Sequence, residues 1–336
     1  MTDEKLQKAL KECQKTILVS LKALTNQNDQ STSSSALPPA LGDVVGQLLN
    51  QLRQAITALG LSFNPPITID AAIQQLEKIS EYIGKLISCV LLASTTSTTL
   101  LAEEWKFGIT RIIEELNKHI QILQNIEKDG EGDQYLSSTG MVWESIDNLL
   151  NDLSKDEKMA LKRIWKSHQS TVKDAWEEFK EILERKTEEN GNEKDGEQNN
   201  DGDLDNEWDE LDLGGEELSE EERMRAEAAK PLLALHQILH STIPKFMDQL
   251  DQEDYRVILN ISTDFVDAYD NAVSSMHPEQ DESEIEEAIS EIEEVSRKLA
   301  GTIKDKSIDK WSERLELEKK KWEERRLNLD SLKNAI

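Results

Sequence analysis

Apolar side chains recur along most of this chain at steps of three and four, the spacing that gathers them on one face of an α-helix. Leu6, Leu10, Cys13, Ile17, Leu21 and Leu24 form the first stripe, which ends near Asn26. Residues 26–39 break the period with Ser, Asn and two prolines, and read as a flexible linker. Val45, Leu48, Leu49, Leu52, Ile56 and Leu59 predict a second helix, with Gly60 as its left-handed stop and Pro65-Pro66 as the turn beyond it. A third helix carries Ile69, Ile73, Leu76, Ile79, Ile83, Leu86 and Val90. A fourth carries Leu101, Trp105, Ile109, Ile112, Leu116, Ile120 and Leu123, starting from the Ser/Thr cluster at 94–99 and closing at Asp129-Gly130. After a short segment at 143–153, Ser154 and Glu157 have capping-box spacing ahead of Leu161, Ile164, Trp165, Val172, Trp176, Phe179 and Leu183.

Residues 187–222 differ in kind, holding 17 Asp or Glu against one Lys. Like charges with almost no apolar surface to bury cannot offset the entropy of ordering, about 1–2 kcal/mol per backbone residue, so this segment is expected to be disordered. Beyond it the helical period returns at Leu232, Leu235, Leu239, Ile243, Phe246 and Leu250, where Pro244 is expected to kink the helix. Three further stripes follow, through Ile258 to Val273, Ile285 to Leu299, and Ile308 to Leu332. No segment alternates at period two for long enough to predict a strand, and no period of 30–50 residues marks a solenoid. The expected fold class is all-α: an antiparallel helical bundle at 1–186, a disordered acidic linker at 187–222, and a helical region at 223–336 packing on the first.

Charge narrows the choice of partner. The formal net charge is −29, which repels nucleic-acid phosphate and anionic lipid and favours protein partners. No nucleic acid and no membrane is expected as a partner, because no basic amphipathic face is evident and the most apolar run, at 79–92, is broken by Glu81, Lys85 and Ser88. Cys13 and Cys89 stand far apart without a Cys-x-x-Cys spacing, which argues against a disulfide framework and fits a reducing compartment.

Candidate chemistry is sparse. Asp201, Asp203 and Asp205 take the first, third and fifth positions of a calcium loop, but Asn206 replaces the turn glycine and Asp212 the longer closing Glu. His236 and His240 lie four apart, yet Gln237 stands where a metalloprotease motif needs its Glu, so a structural role is the expectation. No phosphate-binding glycine loop and no nucleophile elbow occurs. The sequence therefore predicts no enzyme, no metal and no cofactor.

Two segments are candidates for binding a partner. In the last stripe Ile308, Leu315, Trp322, Leu329 and Ile336 fall seven apart with Trp311 and Leu332 on the alternate seam, while Glu318 and Arg325 interrupt it. This admits either a coiled-coil partner helix, a homodimer included, or one-sided packing on the bundle. In the acidic segment Leu204, Trp208, Leu211 and Leu213 punctuate carboxylates, as in motifs that fold on a partner surface; a plain solubilising linker is the alternative. Trp208, Leu211, Leu213, Trp311, Leu315 and Trp322 are thus the candidate binding residues. Ser219, with Glu222 three residues on, predicts a capping box for the helix that follows.

The order of features also carries a resemblance. A helix from Leu100 to Leu123 is followed by Met141-Val142-Trp143-Glu144 and by the run from Val172 through Trp176 to Glu178. The acidic stretch, Ile261-Ser262-Thr263-Asp264 and Ser275-Met276-His277-Pro278 come next. From about Leu91 to Lys298 the chain resembles the cyclin-D-binding, GCIP-like family. The resemblance implies bundles like those of talin and vinculin rods, and a noncatalytic cell-cycle or transcriptional regulator of nucleus and cytoplasm. It also implies cyclin-like or helix-loop-helix proteins as partners. A cytoskeletal adaptor and an acidic chaperone for basic proteins are the alternatives.

Overall fold

The computed structural model describes residues 2–26, 37–96, 99–126, 133–184 and 217–333. Among them there are ten α-helices and no strand: α1 (Thr2–Thr25), α2 (Leu41–Ser62), α3 (Ile69–Ser94), α4 (Thr99–Gln124), α5 (Asp133–Asp152), α6 (Glu157–Glu184), α7 (Glu220–Thr242), α8 (Tyr255–Ser274), α9 (Glu282–Gly301) and α10 (Lys306–Lys333). The all-α expectation holds. None of the described helices is long and apolar enough to cross a membrane. Contacts gather the chain into two compact units, Met1–Arg163 and Ile164–Ile336, with the boundary inside α6. The acidic linker expected at 187–222 lies outside the described residues as far as residue 216.

In the first unit α1 packs on α3 and α4, α2 packs on α3 and α5, and α4 meets α5 and α3, so the five helices close a ring around one core. The stripes read from the sequence are the faces turned inward. Leu10, Ile17 and Leu24 of α1, Leu49, Leu52, Ile56 and Leu59 of α2, and Trp105 of α4 are buried to 1% exposure or less. Each such side chain contributes about 1.5–3 kcal/mol relative to exposure, which is what holds the bundle against chain entropy. The indole of Trp105 donates to the Ser154 carbonyl at 3.0 Å, so its polar edge is satisfied inside the core.

Three local expectations are corrected here. α2 continues through Gly60 to Ser62, and no described glycine has positive φ. Gly60 lies instead against α5, where a Cβ would meet Thr139 Oγ1 at 3.6 Å. The short segment at 143–153 is the second half of a 20-residue helix, α5, whose first turns bury Ser138 and Thr139 beside Tyr135 and so hide their inward face from an apolar pattern. Ser154 and Glu157 do not cap each other. Asp156 Oδ1 accepts from Met159 N at 2.8 Å, Ser154 turns to Glu104 of α4, and Glu157 crosses to the N-terminus of α4.

In the second unit α7 packs on α8, α9 and α10, and α8 on α9. Ser219 caps α7 by accepting from Glu222 N while the Glu222 carboxylate accepts from Ser219 N at 2.8 Å, the reciprocal box that the sequence predicts. α7 ends at Thr242 and a 3₁₀ turn, Ile243–Gln249, carries Pro244, so that proline stops the helix where a kink was expected. With no N–H to give, it fits a helix boundary better than a helix interior. An aromatic ladder crosses the unit: Trp165 stacks on His240 at 4.6 Å, His240 on Phe265 at 4.7 Å, and Phe265 on Tyr269 at 5.9 Å.

Candidate protein-docking groove

Between α2 and α5 of the first unit runs a groove of about 210 Å³, lined by Thr57, Gly60, Leu61, Asn64, Tyr135, Leu136, Thr139 and Trp143. The helix period explains its composition. Thr57, Gly60 and Leu61 follow one another at three and one along α2, Asn64 lies just beyond its end, and Leu136, Thr139 and Trp143 follow at three and four along α5. Gly60 and Thr139 are small enough to let the two helices approach, which leaves the larger residues on either side as walls. Leu61 is 71% exposed and Leu136 57% exposed, while Tyr135 beside them is buried. Both leucines stay in water although an apolar floor lies between them.

A charged pair lies beside Trp143. Arg53 Nε reaches Asp147 Oδ1 at 2.8 Å and its guanidinium lies 5.5 Å from the ring centre of Trp143. The guanidinium also donates to Asp147 Oδ2 at 3.0 Å, and its cation–π contact sets it against Trp143, which forms a wall of the groove. The volume is below the roughly 300–1,000 Å³ of small-molecule sites and suits one or two protruding side chains of a docked helix.

The polar clusters are built as core. Ser262 is fully buried and meets two histidines, His168 Nδ1 at 2.9 Å and His240 Nε2 at 2.8 Å; its one proton serves one of them while it accepts from the other. His236 Nδ1 meets Ser296 Oγ at 2.7 Å. The pair His236 and His240 thus faces two different hydroxyls. Burial lowers the pKa of His236 to about 4 and that of His240 to about 3, the latter helped by His168, so both are neutral near pH 7. Among the described residues no group of three His, Cys, Asp or Glu is placed to hold a metal ion. Cys13 and Cys89 are free and buried.

Of the residues singled out in the sequence, Trp208, Leu211 and Leu213, with the calcium-loop aspartates, lie outside the described residues. Trp311, Leu315 and Trp322 are buried along with Ile308 and Glu318 on the inward face of α10, and Trp311 Nε1 donates to the Leu235 carbonyl of α7 at 2.8 Å. Within this chain they follow the one-sided packing reading. The sequence reading passed over Leu61 and Leu136, because an exposed leucine next to a buried stripe reads as part of that stripe; only the tertiary pairing of α2 with α5 separates the two.

Residues 44–185 match the family model described as Grap2 and cyclin-D-interacting, N-terminal. Over that span the chain is similar to a GCIP-type N-terminal domain. The resemblance read from the Trp143 and Trp176 motifs is borne out over that span, which begins earlier than Leu91 and leaves α7 to α10 beyond the match. No curated protein matches the chain. The matched span includes every residue of the α2/α5 groove and excludes α1.

Proposed function

We infer that this protein is a noncatalytic regulator that binds other proteins, and that its GCIP-type domain docks an amphipathic helix of a cell-cycle or transcriptional regulator in the α2/α5 groove. The observation that carries this reading is the exposed pair Leu61 and Leu136 on either side of an apolar floor, inside the matched domain. A helix offering leucine-like side chains three or four residues apart would cover both, with a gain of about 1.5–3 kcal/mol for each leucine removed from water. The description of the matched family points to D-type cyclins as the first partners to try, and the resemblance read from the sequence adds helix-loop-helix proteins as the second. The acidic segment at 187–222 would speed encounter with basic partners by long-range steering.

The test is calorimetric titration of purified full-length protein with a D-type cyclin and with a helix-loop-helix dimer. Binding that weakens at least about tenfold in Leu61→Glu with Leu136→Glu, at unchanged melting temperature, supports the reading. Equal binding by that variant sinks the groove. The acidic segment favours a second reading, a chaperone of basic proteins, which predicts histone capture that disappears when residues 187–222 are removed.

A further inference from the structure

α1 lies outside the matched span and carries a second unpartnered face. Lys8, Lys11, Lys15, Leu18, Val19 and Lys22 share one exposed face, away from Leu10, Ile17 and Leu24, on which Glu4 and Glu12 also stand around Lys8. Leu18 is 46% exposed and Val19 59% exposed, so an apolar step sits inside a line of ammonium groups. Lys8 reaches Glu12 at 3.9 Å, and among the described residues no ion pair engages Lys11, Lys15 or Lys22. Lys5 and Lys8 also stand on a groove of about 490 Å³ between α1 and α3, of mixed charge, that Glu12, Glu77, Cys13, Ile73 and Leu76 help to line.

This basic stripe is out of keeping with the chain as a whole. Asp and Glu outnumber Lys and Arg 68 to 39 overall, yet residues 1–100 hold eight of each. The acidity is concentrated further along, and the α1 surface is left locally positive. Screening in physiological salt confines the reach of distant charges to about 8–10 Å, so a ligand lying along α1 experiences mainly the lysines beneath it.

We propose that the α1 stripe is a second docking surface, whose occupant is an acidic amphipathic helix of a partner protein, with carboxylates set over Lys8, Lys11, Lys15 and Lys22 and a large apolar side chain over Leu18 and Val19. Charge complementarity selects this occupant. An anionic membrane is disfavoured because it is a plane that confronts the whole acidic molecule, and two exposed apolar residues give little to insert. A nucleic acid gains nothing from the apolar step between the lysines.

The probe is a fluorescein-labelled 20-residue helical peptide bearing Glu with Leu and Trp on one face, titrated into full-length protein at 50 mM and 300 mM salt; polyglutamate of equal charge and vesicles containing 30% phosphatidylserine are the comparisons. The peptide should bind more tightly than polyglutamate, lose at least about tenfold in affinity in Lys8→Glu with Lys15→Glu and Lys22→Glu, lose several-fold in Leu18→Ser with Val19→Ser, and weaken at the higher salt. These positions are exposed, so melting temperatures should stay unchanged. The Leu61→Glu, Leu136→Glu variant should bind the peptide as wild type does, which separates this surface from the α2/α5 groove. Unaltered binding by the lysine variant overturns the proposal. So does capture by vesicles in preference to peptide, or a tenfold gain on deleting residues 187–216, which would make the chain's own acidic segment the occupant.

Discussion

Glu157, the first residue of α6, accepts the backbone N–H of Leu100 at 2.8 Å with one oxygen and that of Leu101 at 3.0 Å with the other. These are donors that the first turn of α4 cannot satisfy internally, and a carboxylate there also meets the positive end of the helix dipole. α4 answers in kind: Glu104 accepts from Ser154 N at 2.8 Å and from Ser154 Oγ at 2.7 Å. The two carboxylates thus clamp the α5–α6 turn to α4. Glu157 is buried, so Glu157→Ala leaves unpaired donors out of water and should cost about 1–3 kcal/mol in urea denaturation. Glu157→Gln keeps one acceptor and should cost less. Wild-type stability in the alanine variant would show that α4 is capped in another way.

Arg225 ties the start of α7 to the turn before α9. Its guanidinium donates to Gln280 Oε1 at 2.8 Å, to Glu221 Oε1 at 2.8 Å and to Glu282 Oε1 at 2.9 Å, with the side chain 7% exposed. Lysine offers one ammonium in place of a planar fork and cannot reproduce that geometry. Arg225→Lys should therefore destabilise the chain by about 1–2 kcal/mol. Hydrogen exchange should quicken at the N-terminus of α7 and around Gln280. Slow exchange there at unchanged stability would make the fork dispensable.

Acid should loosen the fold well before its carboxylates titrate. Burial depresses His119 and His236 to about 4 and His240 to about 3, against roughly 6.5 when unfolded. Near His236, Glu293 opposes the shift and Arg297 adds to it; His168 adds to that of His240. Between these values the unfolded chain binds more protons, so the contribution is complete above about pH 6.5 and is lost as the pH falls towards 3–4. Each histidine adds up to about 1.4 kcal/mol per pH unit in that window. The urea midpoint should fall from pH 7.5 to pH 5, and His236→Asn with His240→Gln, which keep acceptors near the two serines, should flatten the slope. A midpoint independent of pH would mean that these rings are hydrated.

What the sequence could show follows from what sets each feature. The inward stripes of α1 to α4 were legible because burial acts on one helix at a time, and Leu10, Ile17 or Ile83 is inward in any bundle. α5 was half missed, since Ser138 and Thr139 bury by bonding the Tyr135 carbonyl and carry no apolar signal. Glu157 looked like a local cap, and its bonds to Leu100 and Leu101 span more than 50 residues, which no spacing rule reaches. The groove was invisible for a related reason: Leu61 and Leu136 acquire meaning only when α2 lies beside α5. The α1 lysines did carry a readable signal at steps of three and four, hidden by the acidity of the chain as a whole.

Two glycines should respond to the same substitution with opposite sign. Gly42 lies in the first turn of α2, where a Cβ would stand 2.7 Å from both Cα and O of Lys155. The obstacle is backbone, not the tip of a flexible chain, so Gly42→Ala must push α2 and the turn before α6 apart, at a cost of about 1–3 kcal/mol. Gly84 lies in the interior of α3 with nothing within 4 Å of its added Cβ. There alanine only removes freedom from the unfolded chain, and Gly84→Ala should gain up to about 1 kcal/mol. Urea midpoints of the two variants, measured side by side at pH 7.5, should move down and up respectively. A gain in both would show that α2 and Lys155 stand further apart in solution, and that the clamp of Glu157 and Glu104 leaves slack between them.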